Sequence, residues 1–112
     1  MKLITAVVRA EKLDDLAQAV IDAGARGMTV TEVRGFGQQF GHLPGSCPVD
    51  RGSVLLPKVR VDVVVQNQDA PVVADAIAKA VRTGDIGDGK IWVCPVDGAI
   101  RVRTAEYGRN AV

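Results

Sequence analysis

The stretch Lys12–Gly24, which reads KLDDLAQAVIDAG, decides the fold because a matching stretch, VVADAIAKAVRTG, follows at Val72–Gly84. Both stretches place apolar residues at positions i, i+3, i+4, i+7 and i+8, the pattern of one buried stripe on a helix. Each ends on a glycine, which suits a left-handed helix cap. The sequence therefore predicts two copies of one helical unit. The stripes are formed by Leu13, Leu16, Ala17, Val20 and Ile21 in the first copy and by Val73, Ala76, Ile77, Ala80 and Val81 in the second.

A short apolar or alternating run, typical of a β-strand, lies on each side of both predicted helices. Asp69 and Pro71 suit the N-cap and the first turn of the second helix. Two βαβ units on one sheet predict an α+β, ferredoxin-like double βαβ fold, with right-handed crossovers placing both helices on one face. The predicted strands are Leu3–Val8, Met28–Arg34, Val59–Val65 and Ile91–Cys94.

The third predicted strand carries valine on both of its faces. Val61 and Val63 point one way and Val64 points the other, because side chains alternate along a strand. In so small a domain, self-association is the simplest cover for the second face of the sheet. The pattern therefore predicts an assembly of identical chains without fixing its order.

Composition limits the class of protein. The chain has 112 residues, 47% of them hydrophobic, and a formal net charge of +1. These values predict one domain over residues 1–112, with no general field that would attract nucleic acid. The sequence contains no apolar run long enough to span a membrane and no signal peptide at its start, so we expect a cytoplasmic protein. Two cysteines without a secretion signal are expected to stay reduced, and no redox cofactor is predicted.

A long insertion separates the two units. Residues 35–58 match neither helix nor strand period and contain five glycines and three prolines. A structureless segment longer than about 15 residues in a compact domain is usually functional. We therefore predict a functional loop here.

The turn Gly84–Lys90, GDIGDGK, is the best candidate for an anion site. Its glycines allow backbone N–H groups to turn inward, and Lys90 adds a positive charge for a phosphate. Arg101 and Arg103 would project from the same face of a strand Ile100–Arg103. Two guanidinium groups together with Lys90 suit a polyphosphate, although a solvated edge strand explains the arginines equally simply.

With these residues placed, the whole chain resembles the PII family of nitrogen-regulatory signal-transduction proteins. The most specific part of the likeness is Thr83–Ile91, TGDIGDGKI, followed by Ile100–Thr104, IRVRT. Further stretches that carry it are Lys12–Asp15 (KLDD), Gly27–Val33 (GMTVTEV), Gly35–Gly37 (GFG), Gly41–His42 (GH) and Leu56–Val59 (LPKV).

The resemblance implies a homotrimer that binds ATP or ADP in clefts between neighbouring subunits. One subunit would supply the glycine-rich side of each cleft, and the rest of the site would come from beside it or from the neighbour. It implies Mg with ATP, and 2-oxoglutarate contacted by Gln39, Gly41 and Lys58, with Gln39 also on the metal. The nucleotide contacts it implies are Gly27, Met28, Thr29, Gly35, Gly37, Gln38, Val64, Gly87, Asp88, Gly89, Lys90, Arg101 and Arg103.

The insertion, at about residues 37–56, resembles the T-loop through which the family docks on target proteins. Here it departs from the family pattern. Gln38 replaces a usual arginine and Phe40 a usual lysine, and Arg51 occupies the place of the modifiable tyrosine. Cys47 stands where an arginine often plugs the pore of ammonium channels. These changes indicate a different target, such as a membrane transporter or a metabolic enzyme or regulator.

Other functions compete with this interpretation. A carbon-linked sensor of ADP or AMP, with bicarbonate as a further ligand, is favoured by Gln38 and Phe40, whereas Gln39 and Lys58 favour 2-oxoglutarate.

An enzyme using His42 and Cys47, or a metal site adding Asp50, lacks a recognised ligand or catalytic pattern. An RNA-binding sheet would need more aromatic residues than 4%. An amino-acid-binding regulatory domain would leave the cationic residues near the two signatures unexplained.

Overall fold

The computed structural model describes residues 1–37 and 55–112, and its architecture confirms the predicted ferredoxin-like double βαβ fold. The elements are β1 (Lys2–Arg9), α1 (Leu13–Asp22), β2 (Thr29–Gly35), β3 (Leu56–Val65), α2 (Ala70–Val81) and β4 (Gly89–Pro95). Short 3-10 turns at Ala10–Lys12 and Asn67–Asp69 lead into the two helices, and a third covers Gly108–Ala111. Most of the predicted insertion, residues 38–54, lies outside the described residues.

The four strands form one antiparallel sheet in the order β2-β3-β1-β4. The register places Val61 of β3 beside Ala6 of β1 and Val30 of β2. On the other side of β1, Lys90 of β4 lies opposite Val7. Because directly paired residues share a face, this register decides which side chains meet on each side of the sheet.

Both helices cover the same face of the sheet, as predicted, and the core lies between the two layers. Val61 and Val63 are 0% and 1% exposed, whereas Val64 is 39% exposed, so the alternation predicted for β3 is confirmed. We call the side that carries Val64 the open face of the sheet. The buried apolar residues are Ile4, Ala6, Val8, Leu16, Val20, Val59, Val61, Val63, Val65, Ala70, Val73, Ile77 and Val81.

Three details of the helices differ from the prediction. Ile21 is predicted to lie in the apolar stripe of α1, but it is 63% exposed, on the solvent side of the stripe, whereas its neighbour Val20 is buried. Asp69 makes no capping hydrogen bond, because its backbone is already helical in the preceding 3-10 turn. Gly84 does not cap α2, since Arg82 has left the helix with extended backbone. Pro71 does lie in the first turn of α2, as predicted.

The predicted strand Ile100–Arg103 is wrong, because Ile100 is the one residue of this stretch that forms a β-bridge. A single antiparallel bridge joins Ile100 to Tyr107, and the chain between them forms a tight turn. Ala105 sits in this turn at φ +58°, and the Arg101 amide donates to the carbonyl of Glu106. Arg101 and Arg103 therefore do not project together from a strand.

Candidate functional site

A cleft of about 630 Å³ opens on the open face, between the end of β2 and the start of β4. This volume is in the range typical of small-molecule sites. Gly35, Phe36 and Gly37 line one wall, and residues 85–90 line the other. Val7, Lys58 and Trp92 complete the lining from the sheet. The cleft therefore contains the glycine-rich turn and Lys90, which the sequence predicted as an anion site.

Asp88 holds the glycine-rich turn in shape. Its carboxylate accepts hydrogen bonds from the amides of Thr83 and Gly84, both at 2.9 Å, and from the Thr83 hydroxyl. The Thr83 hydroxyl and these amides hold the pKa of Asp88 well below its usual range. A carboxylate so engaged is charged and directed at its own loop. The side chain of Asp88 therefore organises the turn, and the nucleotide contact that the sequence resemblance implies for this residue stays a prediction.

Two cations from the sheet fix the carbonyl groups of the same turn. Arg9, which is 8% exposed, donates from Nη2 to the Ile86 carbonyl at 2.7 Å and from Nε to Asp88 at 3.4 Å. Lys58 donates from Nζ to the Gly87 carbonyl at 3.0 Å. Burial, with the neighbouring Arg9 charge, lowers the pKa of Lys58. Positive charge is thus concentrated behind the turn.

The glycines of the turn are required by its geometry. Gly87 and Gly89 have φ of +103° and +106°, a region that favours glycine. A Cβ at Gly89 would lie 1.9 Å from the Val7 carbonyl oxygen, so no other residue fits there without moving β1. Among the described residues, the amide of Gly87 has no hydrogen-bond partner. Unpaired amides beside glycines are the feature that binds phosphate in such turns.

The predicted site residues divide into two groups on the single chain. Gly35, Gly37 and residues 87–90 line the cleft together with Lys58, the predicted 2-oxoglutarate contact. Gly27, Met28 and Thr29 lie before or at the start of β2. Val64 lies on the open face of β3, near the same end of the sheet, because Thr29 pairs with Asp62. These four residues do not line the cleft.

The predicted arginines lie apart from the cleft as well. Arg101 forms an ion pair with Glu106 at 3.4 Å, in a second depression lined also by Arg26 and Arg109. Arg103 is exposed in the C-terminal turn. Gln38, Gln39 and Gly41 lie outside the described residues, so the predicted phosphate, metal and 2-oxoglutarate contacts of these three stay predictions.

Sequence reasoning missed Trp92, which lines the cleft, and Arg9, which contacts the glycine-rich turn. Arg9 lies 79 positions from Asp88, and no motif surrounds it. The one available signal was a charged residue at the end of an otherwise apolar strand. Only the pairing of β1 with β4 brings its guanidinium to the turn.

The enzyme and metal interpretations depend on residues that the structure does not describe, so both stay predictions. Within residues 1–37 and 55–112, no three His, Cys, Asp or Glu residues are grouped so as to hold a metal ion. His42, Cys47 and Asp50 lie outside those ranges. No helix in the same ranges is long and apolar enough to cross a membrane.

Comparison with known proteins gives one consistent result. The family model described as nitrogen regulatory protein P-II matches residues 1–106. A protein named nitrogen regulatory protein P-II 2, from Methanothermobacter thermautotrophicus, is 46% identical over 112 residues, which is all of this chain and 97% of that protein. Proteins named nitrogen regulatory protein P-II from Rhizobium meliloti and Microchaete diplosiphon are 44% and 43% identical, with full coverage of both chains.

Proposed function

Because the chain belongs to the nitrogen regulatory protein P-II family, whose members are signalling regulators rather than enzymes, we propose that it senses adenine nucleotide in the glycine-rich cleft. The ligand is ATP or ADP, and the response is passed to a target protein. The observation that carries the proposal is the turn 83–90, in which the Gly87 amide is unpaired among the described residues and two cations hold the carbonyls of Ile86 and Gly87.

The charge and shape of the turn support phosphate as the group it binds. Arg9 and Lys58 occupy the carbonyls of Ile86 and Gly87, so those oxygens are neutralised by positive charge. Lys90 lines the same cleft, and its side chain has no partner among the described residues. Backbone amides and a lysine are the donors that phosphate prefers in such turns.

The proposed assembly is a homotrimer in which each site is shared between subunits. Two observations support sharing. Gly27, Thr29, Val64 and the two C-terminal arginines do not reach the cleft of their own chain, although the family resemblance implies that they bind the nucleotide. The open face also leaves apolar surface uncovered, including Val64. A neighbouring chain on this face would bring the second group of residues toward the first.

We further propose that 2-oxoglutarate joins Mg and ATP at this site, through Gln39, Gly41 and Lys58. The position of the Lys58 ammonium beside Gly87 supports this, because a cation at the edge of a phosphate site suits a carboxylate ligand. Gln39 would contact the Mg ion as well as 2-oxoglutarate. The family's T-loop, at about residues 37–56, would dock on a transporter or a metabolic protein in the cytoplasm.

A carbon-linked sensor is the second candidate. The sequence at the start of the loop favours it, because Gln38 and Phe40 remove two positive charges that family members usually place near the phosphates. Such a protein would prefer ADP or AMP to ATP, with bicarbonate as a further ligand, and would show no response to 2-oxoglutarate.

Isothermal titration calorimetry of the purified protein tests both candidates. ATP, ADP and AMP are each titrated with Mg, in the presence and absence of 2-oxoglutarate. ATP binding that strengthens with 2-oxoglutarate supports the first function. Binding of ADP or AMP that ignores 2-oxoglutarate supports the second, and no binding of any nucleotide would refute both.

A further inference from the structure

Trp92 is a large aromatic side chain that lines the cleft and has no part in the proposed phosphate site. It is the only tryptophan of the chain, and 39% of it is exposed. Tryptophan presents a wide apolar face, which in a water-filled cleft is available to a flat partner.

The register of the sheet places Trp92 at a defined distance from the proposed phosphate site. Trp92 lies opposite Thr5, and Lys90 lies opposite Val7, so both side chains project from the open face of β4. Two residues along a strand are about 7 Å apart. A ligand that extends from the glycine-rich turn along β4 would therefore lie first beside Lys90 and then beside the indole of Trp92.

This order suits a molecule with a charged end and a flat end. In a nucleotide the phosphates and the base are separated by the ribose, and every base has a face that stacks on an aromatic ring. The backbone amides of the turn and the Lys90 ammonium can bind the charged phosphates, but they offer no surface for the flat base. An exposed indole next along the same strand provides for the flat end.

We propose that Trp92 is a base-binding residue, whose indole stacks on the purine while Lys90 and the glycine-rich turn hold the phosphates. The inference rests on the proposed function, because it assumes that the phosphates lie at the turn. Stacking accepts any base, so this contact adds affinity without choosing adenine.

Tryptophan fluorescence tests the contact directly, because all tryptophan emission comes from residue 92. Mg-ATP and Mg-tripolyphosphate, which carries the same phosphate chain without a base, are titrated in parallel. We expect Mg-ATP to quench or shift the emission and tripolyphosphate to compete with ATP in calorimetry while leaving the emission unchanged. Tripolyphosphate also controls for any effect of site occupancy on assembly.

Three variants give a second readout. Trp92→Leu should weaken ATP binding about tenfold and leave tripolyphosphate binding unchanged, because only the stack is lost. Trp92→Phe keeps a ring and should stay within roughly threefold of the parent. Val93→Ala alters the same strand on its opposite face and should bind both ligands normally.

The outcomes separate this inference from the function on which it rests. Binding of ATP with unchanged emission, or equal weakening of ATP and tripolyphosphate in Trp92→Leu, would overturn the base contact and leave the nucleotide site standing. No binding of ATP to the parent protein would remove the nucleotide site, and the base contact with it.

Discussion

The two helix-to-strand connections, residues 23–28 after α1 and residues 82–88 after α2, begin from matching sequence and end as different structures. In the first, the amides of Gly24 and Ala25 donate to carbonyls of α1, at Ile21 and Val20. In the second, the amides of Thr83 and Gly84 donate to Asp88, and the carbonyls of Ile86 and Gly87 accept from Arg9 and Lys58.

The comparison shows how two copies of one repeated unit can diverge in structure. The first connection pairs the amides of Gly24 and Ala25 with its own helix. The second pairs its amides and carbonyls with charged side chains from its own turn and from the sheet, and its Gly87 amide has no partner among the described residues. Both connections contain a glycine at φ +92°, Gly24 and Gly84, but only the second contains a further glycine at positive φ, Gly87 at +103°.

Replacing Gly24 in the first connection and Gly89, the strand residue that directly follows the second, should produce the largest contrast. Gly89→Ala places a Cβ 1.9 Å from the Val7 carbonyl oxygen, at φ +106°. We expect a loss of roughly 3 kcal/mol of unfolding free energy and loss of nucleotide binding. Gly24→Ala meets nothing within 4 Å and should cost only about 1 kcal/mol, with binding retained. Urea denaturation at fixed protein concentration measures the unfolding free energy of each variant. Equal losses of unfolding free energy in Gly89→Ala and Gly24→Ala would contradict the account.

Removing the charge that shapes the second connection should have the next largest effect. Asp88→Asn keeps the size of the side chain but weakens its bonds to Thr83 and Gly84, so we expect roughly thirtyfold weaker ADP binding in calorimetry. Asp85→Asn, in the same turn, is the control, and its unfolding should match the parent. Normal ADP binding in Asp88→Asn would show that the turn does not need its carboxylate.

The same carboxylate should make stability depend on pH. The pKa of Asp88 is lowered in the folded chain, chiefly by the Thr83 hydroxyl, so its charge stabilises the fold at pH above the ordinary aspartate pKa of about 4. That contribution is lost as the pH falls through the lowered pKa. We expect unfolding free energy to decline less on acidification in Asp88→Asn than in the parent. Identical acid profiles would contradict this assignment.

The sequence predicted the repeated core and missed the long-range contacts, and the reasons are physical. The alternation of Val61, Val63 and Val64 predicted β3 because burial follows a period of two. Arg9 was missed because its role depends on strand pairing, which has no local signal. The strand Ile100–Arg103 was predicted wrongly because alternation does not say whether a partner strand exists. Ala105, at φ +58°, shows that a turn closes there instead.

Lys90 should contribute to binding and little to folding. Its side chain has no partner among the described residues, so Lys90→Ala should leave unfolding unchanged while weakening ADP binding about tenfold. Lys79→Ala removes the same charge from the exposed face of α2 and should leave ADP binding unchanged. Unchanged affinity of Lys90→Ala in calorimetry would refute its proposed phosphate role.

Lys58 should have the smallest effect on the nucleotide itself. Lys58→Ala removes one bond to the Gly87 carbonyl, so ADP binding should weaken only about twofold, whereas binding of 2-oxoglutarate with Mg-ATP should be lost. Calorimetry with each ligand measures the two effects separately. If Lys58→Ala lost the binding of both ADP and 2-oxoglutarate, the proposal that Lys58 serves mainly 2-oxoglutarate would be wrong.

Amide chemical shifts, measured by NMR while ADP is added, test most directly the claim that the second connection binds phosphate. We predict that the Gly87 and Asp88 amides shift strongly and in proportion to occupancy, while the Gly24 amide, which is bonded to its own helix, stays in place. Saturation of the protein with ADP while the Gly87 and Asp88 amides do not shift would contradict the account.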